Sequence, residues 1–266
     1  MKADSDREMK ADSDRALAHV KLLLINPNTT EAMTRSMAEE ARRFASPTTE
    51  IVAVTAAFGP QYVANRIEAA IAAHAVVDAM AKHADGCDAA IVSAFGDPGL
   101  AAAREYANIP VVGIAESAML TAWMLGRRYS IVCLTSRLRV WYQECAREHG
   151  LDGRLASVRA LDLPIPDITQ AKDQFRTTLI AECMRAIEED EAEVIIFGGG
   201  PLAGLAREAA AEIPVPTLDG VSCAVRMAEA LVALNPRIPT KGSFARPGPK
   251  PAVGLSPELM RFFDGG

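Results

Sequence analysis

The 266-residue chain is half hydrophobic but only 5% aromatic, so its core is expected to be aliphatic and large enough for one broad α/β domain or two lobes. A net charge of −6 with no basic stripe argues against a nucleic-acid surface, and no apolar run reaches the roughly 18–20 residues needed to span a bilayer. The N-terminus has no apolar signal core, which makes the cytoplasm the expected location.

Met1–Arg7 is repeated as Met9–Arg15, polar and charged, so residues 1–19 are expected to be disordered. Beyond them, strands and helices alternate. Lys21–Asn26 is a short apolar strand bounded by Asn-Pro, and Thr30–Ala45 is a helix entered through Thr29 or Thr30. Glu50–Ala56 is the next strand and Asn65–His83 the next helix. Strands Asp88–Phe95 and Pro110–Ala115 enclose helix Gly99–Ala107. Strand Tyr129–Leu134, helix Leu138–His149, strand Ala156–Leu161 and helix Phe175–Asp190 follow. Strand Val194–Phe197, helix Leu202–Ala211, strand Val215–Leu218 and helix Val221–Leu234 close the series. Strands interleaved with helices of this length predict βαβ units and mainly parallel sheets. The Pro/Gly-rich tail after Pro236 reads as an extended strap with a short final helix.

One corner occurs twice. "IVSAFGDPG" and "VIIFGGGPLAG" each run from a buried strand through small residues and proline into an alanine-rich helix. Pro98 and Pro201 each precede an Arg-Glu pair by six residues, and "IPV" follows both. The duplication predicts an α/β fold of two pseudo-symmetric lobes, residues 20–117 with 218–266 and residues 118–217, with the site in the cleft where matching strand ends face each other. Such turns offer bare backbone N–H groups to an oxyanion or carboxylate. Nucleotide binding is disfavoured, because no GxxxxGK[ST] and no first-strand GxGxxG is present. The five cysteines are scattered without CxxC spacing, against a disulfide framework or structural zinc. His74, Asp78, His83 and Cys87 are spaced so that one helix face cannot hold them all, and a solvated face is the simpler reading.

"LLLINPNTT", "DAAIVSAFGDPGLAAARE", "IPVVGIAESAM", "VPTLDGV" and "TKGSFARP" together resemble the hydantoin and allantoin racemase branch of the Asp/Glu/hydantoin racemase superfamily, in order, from Lys21 into the C-terminal tail. The resemblance implies two pseudo-symmetric lobes, a homo-oligomer, and cofactor-free chemistry by one cysteine from each lobe on opposite faces of a carbon acid. Both cysteine positions differ here. The first is Ala94 and the second Gly199, so the two-thiol reaction cannot run as in that family. Cys133 and Cys223 lie near other strand ends, from which a thiol could move in.

The remaining polar groups set the expected chemistry. Asp97 and Glu116 are candidate general bases for water, with Asp219 a third, and Ser93 a nucleophile only beside a base. Asn26, Asn28, Tyr62, Arg66, Phe95, Thr135 and Ser136, with Ala94 and Gly198–Gly200, are expected to bind substrate. Arg66 would do so as a carboxylate clamp. For Asn28, Thr135 and Ser136, turn or cap duty is the competing reading. The leading expectation is hydrolysis: water opens a small carboxylated five-membered N-heterocycle, a cyclic amidine such as a thiazoline carboxylate or a cyclic ureide. The Gly198–Gly200 amides would hold the developing charge. Racemisation or decarboxylation by non-cysteine groups is the alternative, and an inactive ligand-binding relative the third. A divalent metal could activate the water, although no ligand set is displayed; no other cofactor, nucleic acid or membrane is expected.

Overall fold

A computed structural model describes residues 19–162 and 167–265. The N-terminal repeat lies outside them. Among these residues there are two four-stranded parallel sheets. The first holds β1 (Val20–Asn26), β2 (Thr49–Thr55), β3 (Ala89–Val92) and β4 (Val111–Gly113) in the order β2-β1-β3-β4. The second holds β5 (Tyr129–Cys133), β6 (Leu155–Ala160), β7 (Val194–Gly198) and β8 (Thr217–Asp219) in the order β6-β5-β7-β8. Adding four to each number of the first order yields the second, so the two lobes share one topology.

The central strands are apolar throughout because helices cover both faces of each sheet. Leu22 to Ile25 are fully buried, as are Ile131, Ile195 and Ile196. The register sets Leu24 opposite Ala53 and Ile91, and Ile131 opposite Val158 and Ile196. The inner faces of both sheets share one continuous core, while two smaller clusters fill the outer faces.

The helices are α1 (Glu31–Phe44), α2 (Arg66–His83), α3 (Leu100–Tyr106), α4 (Ile114–Leu125), α5 (Arg137–Glu148), α6 (Ala171–Gln174), α7 (Arg176–Asp190), α8 (Leu205–Ala209), α9 (Gly220–Leu234) and α10 (Pro257–Phe263). Helix α2 begins with a variant of the capping box: the N-cap Asn65 accepts from the Glu68 amide at 3.0 Å, and Glu68 accepts at 2.7 Å from the amide of Ala64, one residue before the cap. The expected tail helix is α10, which docks on α2 and sets Phe262 against Tyr106.

Two expectations are corrected. The strand expected over Pro110–Ala115 stops at Gly113, and α4, which the sequence reading missed, begins at once. The helix expected over Leu202–Ala211 is a 3-10 turn at Gly200–Leu202 followed by the short α8. Helix α4 packs on α9 and reaches β7 and β8, so it ties one lobe to the other. Gly220 allows that crossing, since a Cβ there would stand 2.6 Å from the Ile114 carbonyl oxygen.

Candidate active site

In a β2-β1-β3-β4 sheet the chain leaves β1 and β3 in opposite directions, and a crevice opens beyond their carboxyl ends. Here both lobes have such a crevice, and the two crevices meet in one cavity of about 290 Å³. The first lobe contributes Asn28 after β1 and Ser93, Ala94 and Phe95 after β3, with Tyr62 to Ala64 above them. The second contributes Leu134 and Thr135 after β5 and Gly198 to Pro201 after β7. The duplicated corners therefore face each other, as the sequence predicted.

Backbone conformation explains the small residues. Gly96, Gly99 and Gly199 have φ of +102°, +78° and +133°, where a side chain is strained. The turns leave the Ala94 and Phe95 amides, and those of Gly199 and Gly200, without a hydrogen-bond acceptor among the described residues. Residues on each wall thus carry a pair of N–H donors with no acceptor among the described residues, a resource for negative charge that develops on a bound ligand.

Of the residues expected in the site, Ser93, Ala94, Phe95, Asn28, Tyr62, Thr135 and Gly198–Gly200 line the cavity. Other expected members lie elsewhere. Asn26 is fully buried beneath it, donating to Asn28, Thr34 and the Thr30 carbonyl, so it shapes the loop that carries Asn28. Arg66 pairs with Glu144 at 2.6 Å, a link between the lobes rather than a clamp on substrate. Ser136 is exposed, its amide held by Asp162 at 2.8 Å. Asp219 caps α9 through the Ser222 amide.

The two carboxylates expected as bases are also turned to other work. Asp97 accepts from the Ala115 and Glu116 amides at 2.9 and 2.7 Å, capping α4 across the turn, and lies 3.3 Å from His149 Nε2. Glu116 is gripped by both terminal nitrogens of Arg104 at 3.1 and 2.6 Å. Neither lines the cavity. Ser93 does, but it has no base: its hydroxyl donates to Met37 Sδ at 3.1 Å.

The sequence reading missed Arg137 and Tyr142, both on α5 and both lining the cavity. Arg137 makes no ion pair or hydrogen bond among the described residues, so its charge is available to a ligand. Its position in the first turn after Thr135-Ser136 was the available signal. Tyr142 gave none, since its five-residue separation from Arg137 does not mark a common face.

None of the five cysteines lines the cavity; all are buried and free. Burial pushes the Cys133 thiol up to about 12 and the Cys223 thiol up to about 11. Neither substitutes for the thiols absent at Ala94 and Gly199. Asp97, Cys145 and His149 bring ligand-type atoms within 4.8 Å of one another. Asp97 is already saturated by its helix cap, and burial holds Cys145 protonated, so the donor set does not suit a metal ion.

Burial pulls the His149 pKa down, but its hydrogen bond to Asp97 and the charges of Asp97 and Glu116 outweigh that and raise it. A histidine with a raised folded pKa stabilises fully below its unfolded value, about 6.5, and that contribution is lost as pH rises through the folded value. Burial raises the Asp97 pKa too, against its hydrogen bonds, and that contribution starts to be lost above its unfolded value of about 3.9, so the change expected above pH 6 rests on His149. The unfolding temperature is therefore expected to fall between pH 6 and pH 9, and to fall less in H149Q. Parallel profiles for the two proteins would show that His149 carries no such linkage.

The pattern of the Asp/Glu/hydantoin racemase family matches residues 22–228. The chain is 34% identical to a hydantoin racemase of Pseudomonas sp. (strain NS671), over 88% of this chain and 95% of that one. The structure superposes on an allantoin racemase from Klebsiella pneumoniae with a TM-score of 0.86 and 37% identity, covering 90% of this chain and 98% of that one. Arylmalonate decarboxylase, at 18% identity and a TM-score of 0.59 over 92% of this chain and all of that one, shares the fold. The hydantoin and allantoin relatives, at 34% and 37% identity, are named racemases, which overturns the expectation of a ring-opening hydrolase acting on a cyclic amidine.

Proposed function

The chain belongs to the Asp/Glu/hydantoin racemase family, and from that premise we propose that it is a racemase-type isomerase, moving a proton on and off the stereocentre of a small cyclic ureide held between its lobes. The observation that carries this reading is the single cavity closed by two matching corners, each with a pair of unengaged N–H donors. When a carbon beside a carbonyl loses its proton, the charge passes to the carbonyl oxygen. Fixed donors aimed at that oxygen stabilise the enolate more than the neutral ring, and each such donor is worth roughly 10²–10³ in rate. Arg137 adds a full positive charge to the same wall. Asn28 orients the ring: its oxygen accepts from Asn26 and Thr30 and one side-chain N–H donates to Met33 Sδ at 3.7 Å, which fixes the amide and leaves the second N–H to a ring carbonyl. Only a proton is moved, so the reaction needs no cofactor.

The chemistry differs from a two-thiol exchange because Ala94 and Gly199 carry no acid. One enantiomer of 5-methylhydantoin or of allantoin, incubated in D₂O with the protein, is expected to lose optical rotation and take up deuterium at its stereocentre with the ring intact. Iodoacetamide is expected to leave the rate unchanged, because every cysteine is buried away from the cavity. Constant rotation and no exchange with both probes would overturn the reading. A rate abolished by alkylation would place a thiol in the reaction after all.

A further inference from the structure

The cavity contains one buried polar side chain that has no partner. Tyr142 is 2% exposed, and its hydroxyl makes no hydrogen bond among the described residues. Its oxygen is not sealed in, as Ser117 Oγ is, but opens on the cavity. A buried phenol without a partner is uncommon and calls for a ligand.

Its placement is set from three sides. The ring packs against Phe95 of the opposite lobe with centroids 4.7 Å apart. It slides beneath Gly198, where a Cβ would stand 3.0 Å from Tyr142 Cε2. Its hydroxyl ends 3.8 Å from the point where a Cβ on residue 199 would be. The phenol thus reaches from α5 into the space that a side chain at position 199 would fill, on the wall of the Gly199 and Gly200 amides.

Building on the racemase-type reading, we propose that the Tyr142 hydroxyl is the proton carrier of the second lobe, serving the face of the ring that the bare Gly199 corner leaves without an acid. Water first takes the phenol proton. The phenolate oxygen then removes the proton from the stereocentre, and the C–H electron pair moves into the ring as the carbonyl becomes an enolate. If the phenol first exchanges its proton with solvent, its return from Tyr142 restores the same enantiomer carrying solvent hydrogen. Delivery of a proton by water from the Ala94 face yields the other and leaves hydroxide, which takes the phenol proton to give water and restore the phenolate.

Burial holds Tyr142 protonated well above the usual phenol range, and the nearby Cys133, Cys145 and Asp97 add to this. Arg137 and Tyr62, from the second and first lobes, are the other ionisable groups on the cavity wall. The active phenolate is then a small fraction at neutral pH that grows tenfold per pH unit.

The experiment measures deuterium uptake and loss of rotation for enantiopure 5-methylhydantoin and allantoin in D₂O from pH 6 to pH 9.5, in wild type and Y142F, with ligand affinity measured by calorimetry. Uptake is expected to outrun loss of rotation in wild type, and both are expected to rise about tenfold per pH unit without a plateau. In Y142F both are expected to drop at least 100-fold and lose that slope, while affinity changes less than threefold and the unfolding temperature is retained. An active wild type whose rate and slope persist in Y142F would overturn the role of Tyr142 alone. A wild type inert toward both probes would overturn the racemase-type reading and this role with it.

Discussion

Exchange of Asp97 for alanine is expected to cost about 3–5 kcal/mol of stability, the loss found when one member of a buried charged pair is removed. For a chain of this size that lowers the unfolding temperature by roughly ten degrees. The cause is specific. The carboxylate accepts from the Ala115 and Glu116 amides in the first turn of α4 and faces His149 from 3.3 Å. Its removal leaves the Ala115 and Glu116 amides without this acceptor and His149 with Glu116, 3.6 Å away, as its remaining acidic neighbour at the junction of the lobes. Removing the cation too should recover part of the loss, so D97A/H149A is expected to be less destabilised than the sum of the single variants. Gly113 belongs to the same arrangement, because any Cβ there would collide with the Asp97 carboxylate. A D97A protein that unfolds at the wild-type temperature yet has lost turnover would return Asp97 to the chemistry.

The second large effect concerns the cavity itself. A94F is expected to abolish turnover and ligand binding while leaving the fold intact. Ala94 is half-buried on the wall, between the buried Ser93 and Phe95 and across the cavity from the Gly199 corner. A ring placed there extends into the space where substrate must lie, and aromatic side chains occupy enough area to fill much of a cavity of about 290 Å³. The wall needs no repacking to accept it, so stability is expected to change little. Calorimetry with 5-methylhydantoin separates loss of binding from loss of chemistry. Unchanged binding and turnover in A94F would mean that substrate sits somewhere other than between the corners.

These two residues illustrate different relations between sequence and structure. Ala94 was placed by its position in a repeated corner, and the structure puts it on the cavity wall. Asp97, three residues on, looked like a base in the same corner. Its φ of 46° turns the side chain back toward the start of α4 instead. Helix α4 was itself overlooked for the same reason. It follows β4 without a loop and has Gly113 at its N-cap, so its cap comes from Asp97 and not from the residues beside it. A helix that borrows its cap from a distant carboxylate carries no local starting signal.

What the sequence determined by itself is whatever depends on neighbours along the chain. The apolar strands, the Asn65–Glu68 capping box, the glycine turns and the repeated strand-to-helix corner are all short-range patterns, and they were enough to specify two parallel-sheet lobes. The absence of thiols at positions 94 and 199 is equally a property of the sequence alone. Only the tertiary structure decided which polar groups meet the cavity. Arg66 was diverted to Glu144 and Glu116 to Arg104, while the exposed Arg137 and the buried Tyr142 of α5 line the cavity. The reason is that charges and hydroxyls bind whichever partner the packing brings within about 3 Å, and that partner is set by how the two lobes meet.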